Sequence, residues 1–430
     1  MLAVAFALGI AACGMPRSAG PDASDGVVEG QLLTAAVDRA DPEGADVPGL
    51  VGGMTRFGVE LFRQVAKPDS NVVVSPTSIA WAFGMARAGA RGTTAQEIDN
   101  VLRFSPDAAT THASFNVLDR LLAEATPAQL PAPEPEATRS WQDRQPPALE
   151  IANGVFPQID FPIHQDYLTT LAAHYGTGVI PVDFTAPERA KEIIDDWVRK
   201  QTRERIDQLF DRLDPTTRLV LANAVYLKAD WLHPFDESST ADMPFTRADR
   251  SEVNVPTMRQ QETRRYAQGD GWQAVELPYS GRRLVMWVIV PSGDHAPSDV
   301  LTPEVLAAVD KGLTEGDVEL QLPRWDFDTD VELIPVLRAL GMRTPFEPGL
   351  ADFSGITDAD IWIGDAIHRA TITVDEWGTE AAAVTGIAFQ VSAPPPAHVV
   401  IHADRPFVFA ILDSQARTPL FLGQIADPSK

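Results

Sequence analysis

The 430-residue sequence predicts an α+β fold built on large mixed sheets. Two runs, residues 218–227 and 284–290, are apolar on both faces, the pattern of strands central in a sheet. Between such runs lie segments whose apolar residues recur at helical spacing. No internal repeat is visible and the body has one break in composition, so the chain reads as one large domain although its length alone would suggest two or three.

Taken in order, residues 1–12 form a short apolar run that fits a signal peptide and is too short to span a bilayer as a helix. Residues 13–53, rich in Ala, Gly, Asp and Pro, read as a flexible tether, and the folded domain is expected over 54–430. Met54, Phe57, Leu61, Phe62 and Val65 recur at helical spacing, and Pro68 ends that helix. A short buried strand follows at 71–74. Ser75 and Pro76 then open a helix over 77–90 whose faces are nearly all apolar or small, which places it at the centre. Thr94 followed by Glu97 has the spacing of a capping box for a helix ending at Leu102.

Residues 110–125 read as an amphipathic helix with Phe115, Leu118, Leu121 and Leu122 on one side. The composition break is the Pro-rich insertion 127–147, which cannot hold a packed core. Strands are expected at 149–156 and 179–184, and helices at 165–174 and 187–202. The second of these starts near Pro187 and buries Ile193, Ile194, Trp197 and Val198. Helices at 302–313 and 331–340, the latter closed by Gly341, and strands at 398–401, 407–412 and 420–425 complete the reading.

A formal charge of −25, from 35 basic and 60 acidic residues, argues against nucleic acid or an anionic lipid surface as partner. The local group Arg199, Lys200, Arg203 and Arg205 reads as a solvated helix face. The single cysteine, Cys13, ends the run Ile10-Ala11-Ala12-Cys13, which resembles a bacterial lipobox in which Cys13 is lipidated; basic residues before the run are missing, and ordinary secretion is the alternative. Either reading puts the protein outside the cytoplasm, with no membrane contact except through that lipid, and leaves the mature chain without a disulfide. Catalytic chemistry lacks a signature: no G-x-S-x-G elbow, H-E-x-x-H, P-loop or G-x-G-x-x-G is present. His398 and His402 could share a strand face but lack a third ligand, so no metal and no cofactor is expected.

The stretch that organises the rest is 371–396, TITVDEWGTEAAAVTGIAFQVSAPPP. Ile372, Thr373 and Val374 read as strand. The following residues are almost all small, and Thr379, Ala381, Ala383 and Thr385 fall on one face when extended, so this segment can enter a packed sheet without overfilling it. Pro394, Pro395 and Pro396 stop it, because proline has no N–H for a central ladder.

VDEWGTEAAAVTG resembles the reactive-loop hinge of the serpins, suicide inhibitors of serine and cysteine proteases. Asn71-Val72-Val73-Val74-Ser75-Pro76-Thr77-Ser78-Ile79, Leu221-Ala222-Asn223-Ala224-Val225-Tyr226-Leu227-Lys228-Ala229-Asp230-Trp231, Arg405-Pro406-Phe407-Val408-Phe409 and Pro419-Leu420-Phe421-Leu422-Gly423 stand in serpin order and spacing. The resemblance covers residues 54 to 428. It implies three sheets, eight or nine helices and an exposed loop that is cleaved by the target protease, inserts into the main sheet and traps the acylated protease. It assigns a hinge to Glu376, Gly378, Thr379, Glu380, Ala381, Ala382 and Ala383. Ser75, Ser78, Asn223 and His368 match a polar cluster under the middle of that sheet, and Lys228 and Trp231 the point where the loop inserts, with Glu376 as a charged partner.

Counting from Glu376 as the resemblance suggests puts the reactive bond between Ser392 and Ala393. The bonds after Gln390 and Val391 stay open, because the loop is longer than is common. No Lys or Arg stands between Trp377 and Pro394, which excludes a trypsin-like pocket and leaves elastase-, chymotrypsin- or subtilisin-like enzymes. The implied partner is a serine protease held as a covalent acyl complex by a monomeric inhibitor that is not itself an enzyme. A non-inhibitory serpin acting as a carrier or chaperone is the alternative; the small residues of the hinge argue against it.

Overall fold

The computed structural model describes residues 27–125, 147–379 and 399–430. Cys13, hinge residues Glu380, Ala381, Ala382 and Ala383, reactive-bond candidates Gln390, Val391, Ser392 and Ala393, and nearly all of the Pro-rich insertion lie outside the described residues.

The first half is mainly helical: α1 (Val47–Val65), the short strand β1 (Val72–Val74), α2 (Pro76–Gly89), α3 (Gly92–Leu102) and α4 (Ala108–Ala125). β2 (Ala148–Pro157), α5 (Gln165–Tyr175), α6 (Pro187–Gln201) and β3 (Leu219–Asp230) follow. Then come β4 (Ala241–Thr246), β5 (Glu252–Gly269), β6 (Trp272–Pro278), β7 (Leu284–Pro291), α7 (Pro297–Val300), α8 (Pro303–Gly312), β8 (Thr314–Pro323), β9 (Trp325–Glu332) and α9 (Leu333–Ala339). β10 (Ile363–Val374), β11 (Gly378–Thr379), β12 (Val399–His402), β13 (Phe407–Asp413) and β14 (Pro419–Ile425) close the chain.

Among the described residues the strands form a five-stranded sheet, β2-β3-β11-β10-β9, and a nine-stranded assembly, β1-β14-β13-β7-β6-β5-β8-β12 with β4 on β5. The 18-residue β5 gives the assembly two parts: residues 257–266 pair with β8, and 266–269 with β6. Counted that way the described residues form three sheets, one long strand serving two of them.

α2 is buried almost all round. Ser75 caps it, its side chain accepting a bond from Ser78 N at 3.2 Å, and Pro76 occupies the first turn, where no N–H is needed. The five-stranded sheet lies over it. Along β3, Leu219, Leu221, Val225, Leu227 and Ala229 join the main core, while the alternate Val220, Ala222 and Ala224 pack under Ile194 and Val198 of α6. This period of two explains why β3 reads as apolar on both faces: both faces are covered.

Several sequence expectations are corrected. The tether expected over 13–53 is packed on the body from residue 27 onward. Leu33 bridges Val179, the Arg39 guanidinium reaches Asn116 Oδ1 (2.8 Å) and Asp119 (2.7 Å), and α1 already buries Leu50 and Val51. The Thr94 capping box does not form, because α3 starts three residues earlier, with Arg91 at its cap, and tertiary partners claim both side chains. Thr94 Oγ1 accepts Asp352 N at 2.8 Å, and Glu97 accepts the N–H groups of Arg343 and Thr344 at 2.7 Å each. Residues 179–184 make isolated bridges rather than a strand, and Val331 belongs to β9, so the helix expected at 331–340 begins at Leu333.

Candidate functional site

β3 and β10 run parallel and are paired from Leu219/Ile363 up to Val225/Ala370. Above that point the two strands pair with each other no further, and β11 stands between their upper ends: Gly378 opposite Asp230, and Thr379 opposite both Ala229 and Val374. The start of the hinge is therefore already threaded into the top of the sheet.

A tight turn at 375–378 makes this possible. Asp375 Oδ1 accepts the N–H groups of Trp377 (2.8 Å) and Gly378 (3.2 Å), and Asp375 N bonds back to Gly378 O at 3.0 Å. Burial pushes the Asp375 carboxyl above its ordinary range, and those two donors oppose the rise. Gly378 is required by close approach: a Cβ there would lie 2.1 Å from Ala229 O.

Trp231 locks the turn from below, donating N–H to Trp377 O (2.7 Å) and Nε1–H to Asp375 O (2.9 Å). Its ring stacks on Tyr279, with centroids 4.4 Å apart and planes at 15°. The Tyr279 hydroxyl in turn meets Thr379 Oγ1 at 2.7 Å, both groups being buried. Glu376 is buried and held by Arg324 (Nε to Oε1 2.8 Å) and by the Thr240 hydroxyl. Arg324, not Lys228, is thus its charged partner, a correction that depends on β9 being carried alongside by the sheet. Lys228 stands beside the hinge on β3.

Lower down, the four expected cluster residues meet. His368 and Asn223 are register partners across β10 and β3. Ser75 N donates to His368 Nε2 at 3.0 Å, so Nδ1 carries the ring proton and donates to Asn223 Oδ1. Asn223 Nδ2 donates to Ser78 Oγ (2.6 Å) and to Asn153 Oδ1 of β2. Burial drives the His368 pKa down to about 3, so the imidazole is neutral. Asn153, Arg324, Thr240 and Tyr279 were not singled out from sequence. For Asn153 a signal existed: it is an amide in the middle of a predominantly apolar strand, two positions from Ile151 and Val155.

The five-stranded sheet, parted at its top around a hinge and closed at its middle over a buried polar cluster, defines a fold class that comparisons with known proteins identify. Residues 53–428 match the family model described as serpin (serine protease inhibitor). An uncharacterized serpin-like protein of Thermococcus kodakarensis is 34% identical over 392 residues, covering 90% of this chain and 87% of that protein. Plasminogen activator inhibitor 1 of Sus scrofa is 31% identical over 388 residues, covering 87% and 91%. Among solved structures, the native thermophilic serpin tengpin superposes with a TM-score of 0.78 at 23% identity, covering 92% of this chain and 97% of its own. Native protease nexin-1 with heparin gives 0.73 at 26%, covering 89% and 100%. The chain belongs to the serpin family.

Two measurable consequences follow from this geometry. Because the folded pKa of His368 (about 3) lies below the ordinary histidine value of about 6.5, the unfolded chain binds the extra proton first. Stability is therefore full above about pH 6.5 and falls as pH drops toward 3, by up to ~1.4 kcal/mol per pH unit from this group. The heat-denaturation midpoint should decline over that window, and less steeply in His368→Gln; parallel slopes would remove His368 from the account. Gly378→Ala should expel β11, since its methyl cannot share space with Ala229 O. Limited proteolysis at the hinge should become many-fold faster while the remaining fold, read by far-UV circular dichroism, is unchanged.

Proposed function

We propose that this serpin is a suicide-type inhibitor of serine proteases, acting by cleavage of the loop after residue 379, insertion of its N-terminal part into the five-stranded sheet, and retention of the acylated protease. The observation that carries the reading is the position of Gly378 and Thr379, paired in the sheet between two strands that are separate above Val225 and Ala370.

That register can be continued. With Thr379 opposite Ala229 and Val374, residues 380, 381 and 382 would meet Lys228, Leu227 and Tyr226 where β3 and β10 do not pair. From Ala383 onward each step must separate an existing pair, the first being Val225 and Ala370. Thr385 would arrive between Asn223 and His368, on the same inward face as Thr379. Its hydroxyl can give and take a hydrogen bond there, replacing the contact that its arrival breaks. β3 ends at Leu219, so pairing would end at Phe389, before the candidate bonds at 390–393 and the prolines that cannot join a ladder. Eleven inserted positions, 379 to 389, span roughly 35 Å, which would carry an attached protease from the top of the sheet to its foot.

Specificity follows from the loop's chemistry. Phe389, Val391 and Ser392 suit elastase-, chymotrypsin- or subtilisin-like pockets, and the lack of a cation leaves a trypsin-like aspartate without a partner. Lipidation of Cys13 would hold the inhibitor at a membrane outside the cytoplasm; labelling with a radioactive fatty acid, lost in Cys13→Ser, tests that part separately.

Incubation with an elastase- or subtilisin-like protease should give a detergent-stable complex on a denaturing gel, and trypsin should give none. Mass spectrometry of the released peptide should find Ala393 at its start. Clean cleavage without complex would make the chain a substrate and sink the inhibitor reading. Thr379→Arg would have to place a charge where Tyr279 now meets a hydroxyl, at a cost of several kcal/mol. Thr385→Val would leave the cluster one partner short, at about 1–3 kcal/mol. Both should lower the ratio of complex to cleaved product while the initial rate of loop attack stays near wild type; an unchanged ratio in both would mean that insertion is not the inhibitory step.

A further inference from the structure

The chain that follows Trp231 forms, with Pro278, one wall of a separate cleft of about 380 Å³. Four arginines line it, Arg264, Arg265, Arg282 and Arg417, against two glutamates, Glu276 and Glu315, in a chain whose formal charge is −25. Arg264 is buried, with 3% of its side chain exposed. Its Nη2 bonds Gln260 and lies 3.5 Å from Glu262, but its buried Nε has no partner. A buried donor left unmatched is a standing cost and a rare feature of native structures.

Arg282 and Arg417 occupy the turns β6–β7 and β13–β14, which are bound side by side through Ser414 N to Arg283 O (2.6 Å) and Ser414 Oγ to Arg282 O (3.1 Å). Both have left-handed backbones, φ 60° and 56°, where glycine or asparagine would be less strained. Arg265 is anchored by Glu276 at 2.8 Å, and the second Glu276 oxygen accepts from Trp287 Nε1 at 3.0 Å, so both oxygens of this carboxylate have a partner. Arg417 rests on Asp310 at 2.7 Å at the edge, while Arg282 has no ion-pair partner among the described residues.

We propose that this cleft binds a small dianion of the phosphate class, gripped by the forks of Arg282 and Arg417 above the Arg264 and Arg265 floor. Planar guanidinium groups match two oxygens of a phosphate, and Arg282, which has no ion-pair partner among the described residues, is left to take them. The volume falls in the range of small-molecule sites and leaves room for a phosphate monoester. This proposal stands independently of protease inhibition.

Isothermal titration of the full chain with inorganic phosphate and with glycerol 3-phosphate, at constant ionic strength set by chloride, tests it. Saturable one-to-one binding is expected, with a parallel rise in the heat-denaturation midpoint. Arg282→Gln should weaken binding about tenfold, and Arg282→Gln with Arg417→Gln further, as loss of charge-assisted bonds implies. Arg212→Gln, an exposed site near the opposite end of β3, serves as the charge control and should bind as wild type. Heats that do not saturate, or equal weakening in Arg212→Gln, would overturn the assignment.

Discussion

The constraint on which the smaller sheet depends is the neutral imidazole of His368, held between a helix cap and an asparagine at the centre of the parallel β3–β10 seam. Its partners come from separate parts of the chain: Ser75 and Ser78 from the start of α2, Asn153 from β2, Asn223 from β3. Each buried polar atom in this group has a partner, so in a low-dielectric interior the network fixes how the strands sit relative to α2. Such a seam differs from an apolar one. Its bonds have direction and can be exchanged for equivalent bonds with a newcomer, whereas interdigitated aliphatic side chains must first be pulled apart. A sheet that opened, as the proposed mechanism requires, would be better closed by groups that can change partners.

The upper end of the sheet has the complementary arrangement. There the hinge occupies the space between β3 and β10, and its hold is spread over unlike contacts: backbone pairing at Gly378 and Thr379, the Trp231 bonds to the turn, the Tyr279 hydroxyl, and the buried Glu376 carboxylate on Arg324. Of these the ion pair is the most sensitive to loss. Glu376 is nearly inaccessible while Arg324 is partly solvated, so removing the arginine would strand a buried charge, whereas removing the glutamate would leave a cation that water can reach.

How far sequence reasoning reached follows from which contacts are local. β3, β7 and β13 were legible because both their faces are buried and their apolar runs are continuous. β5 was not. Its residues, EVNVPTMRQQETRRYAQG, are largely polar, and it is a strand because β8, β4 and β6 supply its ladders. The segment 27–46 has too little apolar periodicity to register as structured; it is held by the Leu33–Val179 bridge, by Gly30 N to Pro181 O and Ala40 N to Ala173 O at 2.9 Å each, and by Arg39, contacts that only the folded body offers. Thr94 and Glu97 show the converse, a local pattern overridden by partners about 250 residues away. At the site, His368, Asn223, Ser75 and Ser78 were readable through family spacing. Arg324 lies 52 residues before Glu376, and only the sheet brings the two together.

In the proposed inhibitor, these features locate the kinetic trap. Completing the ladder over about ten residues, bonded on both sides at on the order of 1 kcal/mol net per hydrogen bond, would release roughly 10–20 kcal/mol. That is comparable to or larger than the whole stability of a typical domain, about 5–15 kcal/mol, so the intact form must be held by a barrier rather than by its own depth. Over the three ladder positions below Thr379 β3 and β10 do not pair with each other, and the next would require Val225 and Ala370 to part. The barrier would therefore begin at the top pair of the seam and culminate two steps later at His368 and Asn223, where a buried network would have to exchange a partner. In that reading an intact loop, tethered at both ends, could not feed residues that far; cleavage would free the upstream half, and the register set at Gly378 and Thr379 would guide it to the foot of β3.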